Sequence, residues 1–261
     1  MPPPPALPTF WEFEAPDDWT AIDFISDLHL SSATPRTFEV WAGYMRGTTA
    51  SAVVILGDLF EVWVGDDARH EGFEARCVDV LADTAAHRVV AFACGNRDFL
   101  VGGEMLRDCG VRALSDPTVL VGFGERLLLS HGDALCLDDH EYQQFRSMVR
   151  SPAWQRDFLA KPLHERQAIV RSMRDQSEQR KRSTAPEDWV DIDKATAVRW
   201  MHEAHTPTLI HGHTHRPAHE VLAPGYMREV LSDWDCDGPG TPRAEVLRLR
   251  GGGLTRIALA P

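Results

Sequence analysis

An α/β fold with two sheets packed face to face is predicted by three features of the sequence. Short apolar, β-branched runs recur, and each stops at a Gly or Ser followed by a polar residue able to bind a metal. Helical patterns fill the gaps between the early runs. After His215 the chain turns into short strands separated by Pro- and Gly-rich turns. Strands alternating with helices argue for a sheet whose carboxyl ends carry ligands, and a second sheet accommodates the remaining strands.

In chain order, residues 1–18 are rich in proline and acid and read as a partly disordered leader. Ile22–Ile25 runs into Ser26-Asp27-Leu28-His29, and Ala52–Leu56 into Gly57-Asp58. Arg88–Cys94 runs into Gly95-Asn96-Arg97-Asp98, and Arg126–Leu129 into Ser130-His131-Gly132-Asp133. Thr208–Ile210 runs into His211-Gly212-His213-Thr214-His215. Apolar runs this short, bounded by turn residues, are buried strands. Phe38, Trp41, Ala42 and Met45 share one helical face, as do Phe73, Cys77, Val80 and Leu81. Late strands are expected at His219–Leu222, Met227–Leu231, Ala244–Leu249 and Leu254–Leu259. Residues 139–204 interrupt this plan with an almost wholly helical pattern, broken at Ser151-Pro152, Pro162 and Pro186. The expected organisation is therefore a core of 19–138 and 205–261 with a helical insertion at 139–204.

The composition excludes several classes. With 261 residues, 43% apolar and 25% charged, the chain can bury a core without disulfide or metal staples. No run approaches the ~18 apolar residues of a membrane-spanning helix. Met1-Pro-Pro-Pro-Pro-Ala-Leu-Pro has neither the basic nor the apolar region of a secretory signal, so a cytoplasmic location is expected. A net charge of −12 argues against nucleic-acid binding, which needs a basic surface. The five cysteines are scattered without a C-x-x-C pair and read as reduced, buried thiols. No obligate protein partner is evident.

The polar strand ends, taken together, carry the chemistry: Asp27, His29, Asp58, Asn96, His131, His213 and His215. Asp-x-His and His-x-His place both side chains on one side of an extended backbone. A lone carboxylate after glycine, as at Asp58, can give one oxygen to each of two cations. Four imidazoles, two carboxylates and an amide, without thiolate, suit Mn, Fe or Zn. Two such cations about 3.5–4 Å apart activate a nucleophile and stabilise both oxygens of an in-line displacement at phosphorus. Each block alone has an ordinary structural explanation as a turn or a helix cap. Five of them in this order, each after an apolar strand, do not.

The order and spelling resemble the calcineurin-like metallophosphoesterase superfamily, whose blocks are D-x-H, G-D, G-N-[HR]-[DE], H-G and G-H-x-H. The resemblance implies a four-layer αββα sandwich. It assigns one cation to Asp27, His29, Asp58 and His215, and a second to Asp58, Asn96, His131 and His213. His211 precedes the last block and reads as structural. Most such phosphoesterases carry a His after the Asn, whereas this chain has Arg97, which can clamp a phosphate but cannot act as a general acid. Gly95-Asn96-Arg97-Asp98-Phe99-Leu100, Gly57-Asp58-Leu59-Phe60-Glu61, His131-Gly132-Asp133-Ala134-Leu135-Cys136 and His211-Gly212-His213-Thr214-His215-Arg216-Pro217 are similar to the branch of UDP-2,3-diacylglucosamine pyrophosphatases of lipid A synthesis. That branch implies two divalent ions, Mn²⁺ by preference, and attack of a hydroxide on the α-phosphorus of UDP-2,3-diacylglucosamine to release UMP and 2,3-diacylglucosamine 1-phosphate. Arg97 and Asp98 are then catalytic, Arg97 on the phosphate oxygens and Asp98 orienting Arg97 or a ligand.

The same resemblance makes the insertion a cap that holds the acyl chains. Its substrate motif matches at Arg174-Asp175-Gln176-Ser177, and the later positions hold Lys181 and Thr184. Asn96, Arg97, Asp139, Ser177, Lys181, Thr184 and His213 are the substrate-contact candidates, Asp139 being equally an N-cap. Glu141–Arg182 carries ten basic residues against five acidic ones, a balance of +5 in a −12 chain. That basic surface is expected to rest on anionic lipid at the cytoplasmic face of the inner membrane. Apolar stripes at Phe145, Met148 and Val149, at Trp154, Phe158 and Leu159, and at Ile169, Val170 and Met173 would form the acyl slot. Removing 139–204 is then expected to raise KM for the diacyl substrate and spare a small aryl phosphodiester. The alternatives are a two-metal phosphoesterase acting on nucleotides or phosphoproteins, and a non-catalytic binding module that keeps the fold.

Overall fold

The structure is a computed structural model that describes residues 6–183 and 190–259, the side chains of 174–183 excepted. Its strands are β1 (Trp11–Glu14), β2 (Ile22–Ile25), β3 (Ala52–Leu56), β4 (Val89–Ala93), β5 (Arg112–Leu114), β6 (Thr118–Gly122), β7 (Glu125–Ser130), β8 (Thr208–His211), β9 (Ala218–Ala223), β10 (Tyr226–Val230), β11 (Glu245–Arg250) and β12 (Gly253–Ala258). Its helices are α1 (Pro35–Gly47), α2 (Gly72–Ala85), α3 (Gly103–Asp108), α4 (His140–Val149), α5 (Pro152–Leu159), α6 (Leu163–Ser183) and α7 (Lys194–Glu203). One sheet runs β12-β11-β2-β3-β4-β5 and the other β1-β6-β7-β8-β10-β9.

Period-two alternation in buried strands builds three apolar layers. Ile22, Phe24, Ala52, Val54, Leu56, Ala91 and Ala93 face inward and meet Leu120, Leu127, Leu129 and Ile210 of the other sheet. Their neighbours Ile25, Val53, Ile55, Val90 and Phe92 face outward onto α1, α2 and α3, where Phe38, Trp41, Met45, Cys77, Val80 and Met105 lie. On the far side Val119, Leu128 and Leu209 pack against Ala197, Trp200 and Met201 of α7. Strands buried on both faces explain the nearly continuous apolar runs. The result is an α/β sandwich with helix, sheet, sheet and helix in succession.

Two expectations are corrected by this packing. Residues 11–14 are not a disordered leader: β1 pairs in parallel with β6. Phe13 packs between the sheets and Phe10 beside Trp200, which outweighs the prolines before them. And α7, expected to belong to the 139–204 insertion, forms the outer helical layer on β8. The helical breaks stand where proline put them, since α5 starts at Pro152 and α6 just after Pro162; Pro186 lies outside the described residues.

One buried ion pair ties the first sheet to α1. Asp23 of β2 is fully buried, and Arg248 of β11 holds it through Nε at 2.6 Å and Nη2 at 2.8 Å. Tyr44 and Thr48 donate their hydroxyls to the same carboxylate, at 2.6 and 2.9 Å. Removing one partner of such a pair strands a charge in an apolar medium. Arg248→Met is therefore expected to lower the free energy of unfolding by about 3 kcal/mol, read from chemical denaturation; an unchanged midpoint and slope would show that the pair is dispensable.

Candidate metal centre

Parallel pairing puts every polar strand end on one edge of the sandwich. The ends of β2, β3 and β4 emerge side by side, and those of β7 and β8 emerge beside each other in the facing sheet. The turns are laced together. Leu28 and His29 donate their backbone N–H to Asp58 O at 2.9 and 3.0 Å, and the His213 N–H meets the Asp27 carboxylate at 2.9 Å. Gly57 and Gly95 permit the tightest approach: a Cβ on Gly95 would stand 2.1 Å from Asp58 Oδ1, and one on Gly57, at φ +84°, would stand 2.5 Å from the Gly95 backbone.

The side chains converge for a reason other than strand alternation. Asp27, His29, Asp58, His213 and His215 all have left-handed backbones, with φ between +49° and +68°. Non-glycine residues rarely adopt that region, and each costs of order 1 kcal/mol or more. Asp-x-His and His-x-His are thus tight turns past the strand ends, not extended segments. The strain is held by the lacing and is spent on aiming five side chains at one point.

There the seven expected ligands meet. His29 Nε2 and His215 Nε2 lie 3.2 Å apart, with Asp27 Oδ1 3.4 Å from the latter. Asn96 Oδ1 sits 2.9 Å from His131 Nε2 and 2.8 Å from His213 Nδ1. Asp58 lies between these groups: its Oδ2 is 3.9 Å from His29 Nε2 and its Oδ1 is 3.7 Å from His131 Nε2. Imidazole nitrogens and carboxylate oxygens gathered at one edge could hold divalent cations: Asp27, His29 and His215 lie close enough together to hold one, and Asp27, Asp58 and His131 form a second such group. His211 stands apart, fully buried, with Nδ1 2.9 Å from the Gly212 carbonyl.

The electrostatics follow from burial. Burial opposes the charge of Asp27, yet His215, His131 and His29 hold its carboxyl well below the usual range. Burial would also lower His131, but Asp58, Asp27 and Asp133 push it up to about 9. His213 is driven down to about 4 by burial and by the charge of His131.

The residues around the ligands were less well anticipated. Asp98 does not reach for the Arg97 guanidinium. It is fully buried and accepts backbone N–H groups from Leu59 and Gly95, both at 2.8 Å, which pins the Asp58 turn to the Asn96 turn. Burial, then the charge of Asp58, pushes its carboxyl up to about 7. Arg97 donates its backbone N–H to Asp58 Oδ1 at 2.8 Å, and its Nη1 lies 3.9 Å from Glu61. Glu61, to which the sequence reading assigned no role, stands 3.1 Å from His29 Nδ1 and so turns Nε2 toward the centre. Its signal was its place three residues after Asp58 in the Gly-Asp block.

The insertion is bound to this centre more closely than expected. Asp139 N-caps α4, accepting the Tyr142 N–H at 3.0 Å. Tyr142 donates its hydroxyl to the fully buried Asp133, and Arg146 Nε reaches the same carboxylate at 2.8 Å. On α6, Arg166 donates to the Val64 carbonyl and to Asp67. Arg150 Nη2 lies 3.5 Å from the same Asp133 carboxylate, so Arg146, Arg150 and Arg166 direct their charge at the body, and the insertion shows less basic surface than its +5 suggests. Trp154, Ile169 and Val170 pack on the main core, while Met148 and Leu159 stay exposed. Ser177 and Lys181 lie on α6 with side chains outside the described set, and Thr184 lies outside the described residues. None of the described helices is long and apolar enough to cross a membrane.

Comparison with known proteins places this geometry in a lineage. A UDP-2,3-diacylglucosamine hydrolase of Chromobacterium violaceum is 47% identical over 243 residues, 92% of this chain and 99% of that one. Proteins of the same name from Aromatoleum aromaticum and Bordetella pertussis are 44% and 41% identical, over 83% and 88% of this chain and 90% and 91% of theirs. No family model matches. Among solved structures, an archaeal phosphodiesterase covers 91% of this chain and 99% of its own at 12% identity, with a TM-score of 0.46, too distant to bear on function.

The raised His131 has a measurable consequence. Without a cation its proton stabilises the fold fully below the ordinary value of 6.5, and that contribution is lost as pH rises through about 9. A cation needs the neutral imidazole, so its uptake expels this proton. Mn²⁺ affinity is expected to tighten at least about tenfold per pH unit across roughly pH 6.5 to 8.5, measured by titration calorimetry. Affinity independent of pH would show that His131 is neutral before the cation arrives.

Proposed function

The chain belongs to the UDP-2,3-diacylglucosamine hydrolase family, and on that premise we propose that it cuts the diphosphate of UDP-2,3-diacylglucosamine to 2,3-diacylglucosamine 1-phosphate and UMP in lipid A synthesis. The observation that carries the reading is Asp58, with one oxygen toward His29 and the other toward His131, beneath an arginine fixed on the same carboxylate. Asp27, His29, Asp58 and His215 would hold one divalent cation, and Asp58, Asn96, His131 and His213 a second. When bound, such a pair supplies Lewis-acid charge at phosphorus and a nucleophile from water at neutral pH. We propose Mn²⁺, which suits a nitrogen and oxygen donor set without thiolate.

The chain's own residues then select the substrate. Arg97 offers a planar fork to two phosphate oxygens. A phosphate leaving group needs no proton where an alkoxide does, so arginine in place of a general acid favours diphosphates. Asp98 acts by holding the Asp58 and Asn96 turns in register, as a positioning residue. Asp139, Ser177, Lys181 and Thr184, with Asn96, Arg97 and His213, are the proposed substrate contacts. We place the enzyme in the cytoplasm, peripheral on the inner membrane, where the exposed Met148 and Leu159 and the remaining basic residues of the insertion would meet the lipid that presents the substrate.

Purified protein with Mn²⁺ is expected to release UMP from the diacyl UDP-sugar at least about tenfold faster, in kcat/KM, than from its deacylated form, since each buried CH₂ contributes about 0.8 kcal/mol. Asp58→Asn should lower the rate by two orders of magnitude or more, a loss comparable to removing a main electrostatic contact of the transition state, while His211→Asn costs far less. Near-normal turnover by Asp58→Asn, or equal rates on the two sugars, would overturn the reading.

A further inference from the structure

The second cation's expected ligands come from four strand ends on two sheets, and one helix outside both sheets touches three of those turns, the ones that carry Asn96, His131 and His213. Arg150, at the carboxyl end of α4, donates Nη2 to the Gly95 carbonyl at 2.9 Å, one residue before Asn96. The same nitrogen lies 3.5 Å from Asp133 Oδ2, two residues after His131. Tyr142, on the same helix, sets its ring 5.9 Å from that of His213. Gly95 follows β4 and Asp133 follows β7, so one guanidinium spans the gap between the sheets.

Asp133 draws its side-chain partners from this helix. It is fully buried, its Oδ1 has no partner among the described residues, and its Oδ2 is served by Tyr142, Arg146 and Arg150. A buried carboxylate that loses a guanidinium partner is left uncompensated, and the resulting shift of its turn would reach His131 through the single residue Gly132. The described contacts of Arg150 and Tyr142 fall on the Asn96, His131 and His213 side. The opposite group, around Asp27, His29 and His215, is held by Glu61 and by the lacing of β2 to β3.

We propose that Arg150 is a positioning residue for one of the two cation sites, that of Asn96, His131 and His213, so that α4 is a working part of the metal centre and the insertion is not a detachable cap. Disturbing α4 would then impair hydrolysis of small diesters as well as of the diacyl substrate. The inference rests on the two-cation reading above, and one titration separates the two. Full-length wild type, Arg150→Met, Arg150→Lys and Arg156→Met are titrated with Mn²⁺, and free Mn²⁺ is followed by its electron paramagnetic resonance signal. Arg156 serves as the control because it is exposed on α5. Wild type and Arg156→Met are expected to bind two ions. Arg150→Met should bind one ion as wild type does and the other about 10–100-fold more weakly, the usual cost of losing a residue that orients a ligand. Arg150→Lys, which keeps the charge without the fork, should fall between them. Two ions at wild-type affinity in Arg150→Met, or equal weakening of both sites in both Arg150 variants, would overturn the inference. Fewer than two ions in the wild type would overturn the two-cation reading, and the inference with it.

Discussion

The site depends on how closely two strand ends can approach. Asp58 and Asn96 leave adjacent parallel strands, and their turns touch at Gly57 and Gly95, where any side chain would collide with the Asp58 carboxylate or the opposing backbone. Asp98 closes the contact by taking N–H groups from both turns. Because these turns cannot drift apart, Asp58 is held midway between two groups of imidazoles instead of pairing with one. The left-handed turns at Asp27, His29, Asp58, His213 and His215 are tolerable only inside that frame, where neighbouring turns over-determine them.

The second constraint is charge. Asp27, Asp58, Asp98 and Asp133 are all essentially buried within the same edge of the sandwich. Four buried carboxylates so placed would repel one another, and the chain answers with separate devices for each. Imidazoles surround Asp27, backbone N–H groups hold Asp98, and tyrosine and arginine from α4 hold Asp133. Asp58 receives one backbone N–H and faces His29 and His131 at distances too long for hydrogen bonds, which leaves it as the carboxylate shaped for a cation on either side.

Much of this was legible in the sequence because it is written in local pattern. The β-branched runs located β2, β3, β4, β7 and β8, and the polar residue after each run named all seven converging side chains. What escaped notice depends on contacts between distant segments. The pairing of β1 with β6 requires knowing that Phe10 and Phe13 find apolar surface in the sandwich, which a proline-rich context conceals. The positive φ of the ligands cannot be read from Asp-x-His, since alternation on an extended strand would also bring the two side chains to one side. Basic residues of the insertion looked like surface charge, yet Arg146, Arg150 and Arg166 point inward because their acceptors, Asp133, Gly95 and Asp67, lie up to ~100 residues away in the chain. Glu61 was visible in its motif but gained a meaning only once His29 stood beside it.

The central claim is that a single carboxylate, Asp58, joins two cation sites into one centre. Two Mn²⁺ ions bridged in this way couple magnetically, so low-temperature electron paramagnetic resonance of the Mn²⁺-loaded protein tests the claim directly. The account predicts a multiline spectrum from a spin-coupled pair in the wild type, replaced by the six-line signal of isolated ions, or by loss of bound manganese, in Asp58→Asn. A six-line spectrum in the fully loaded wild type, or a coupled spectrum that survives Asp58→Asn, would contradict it.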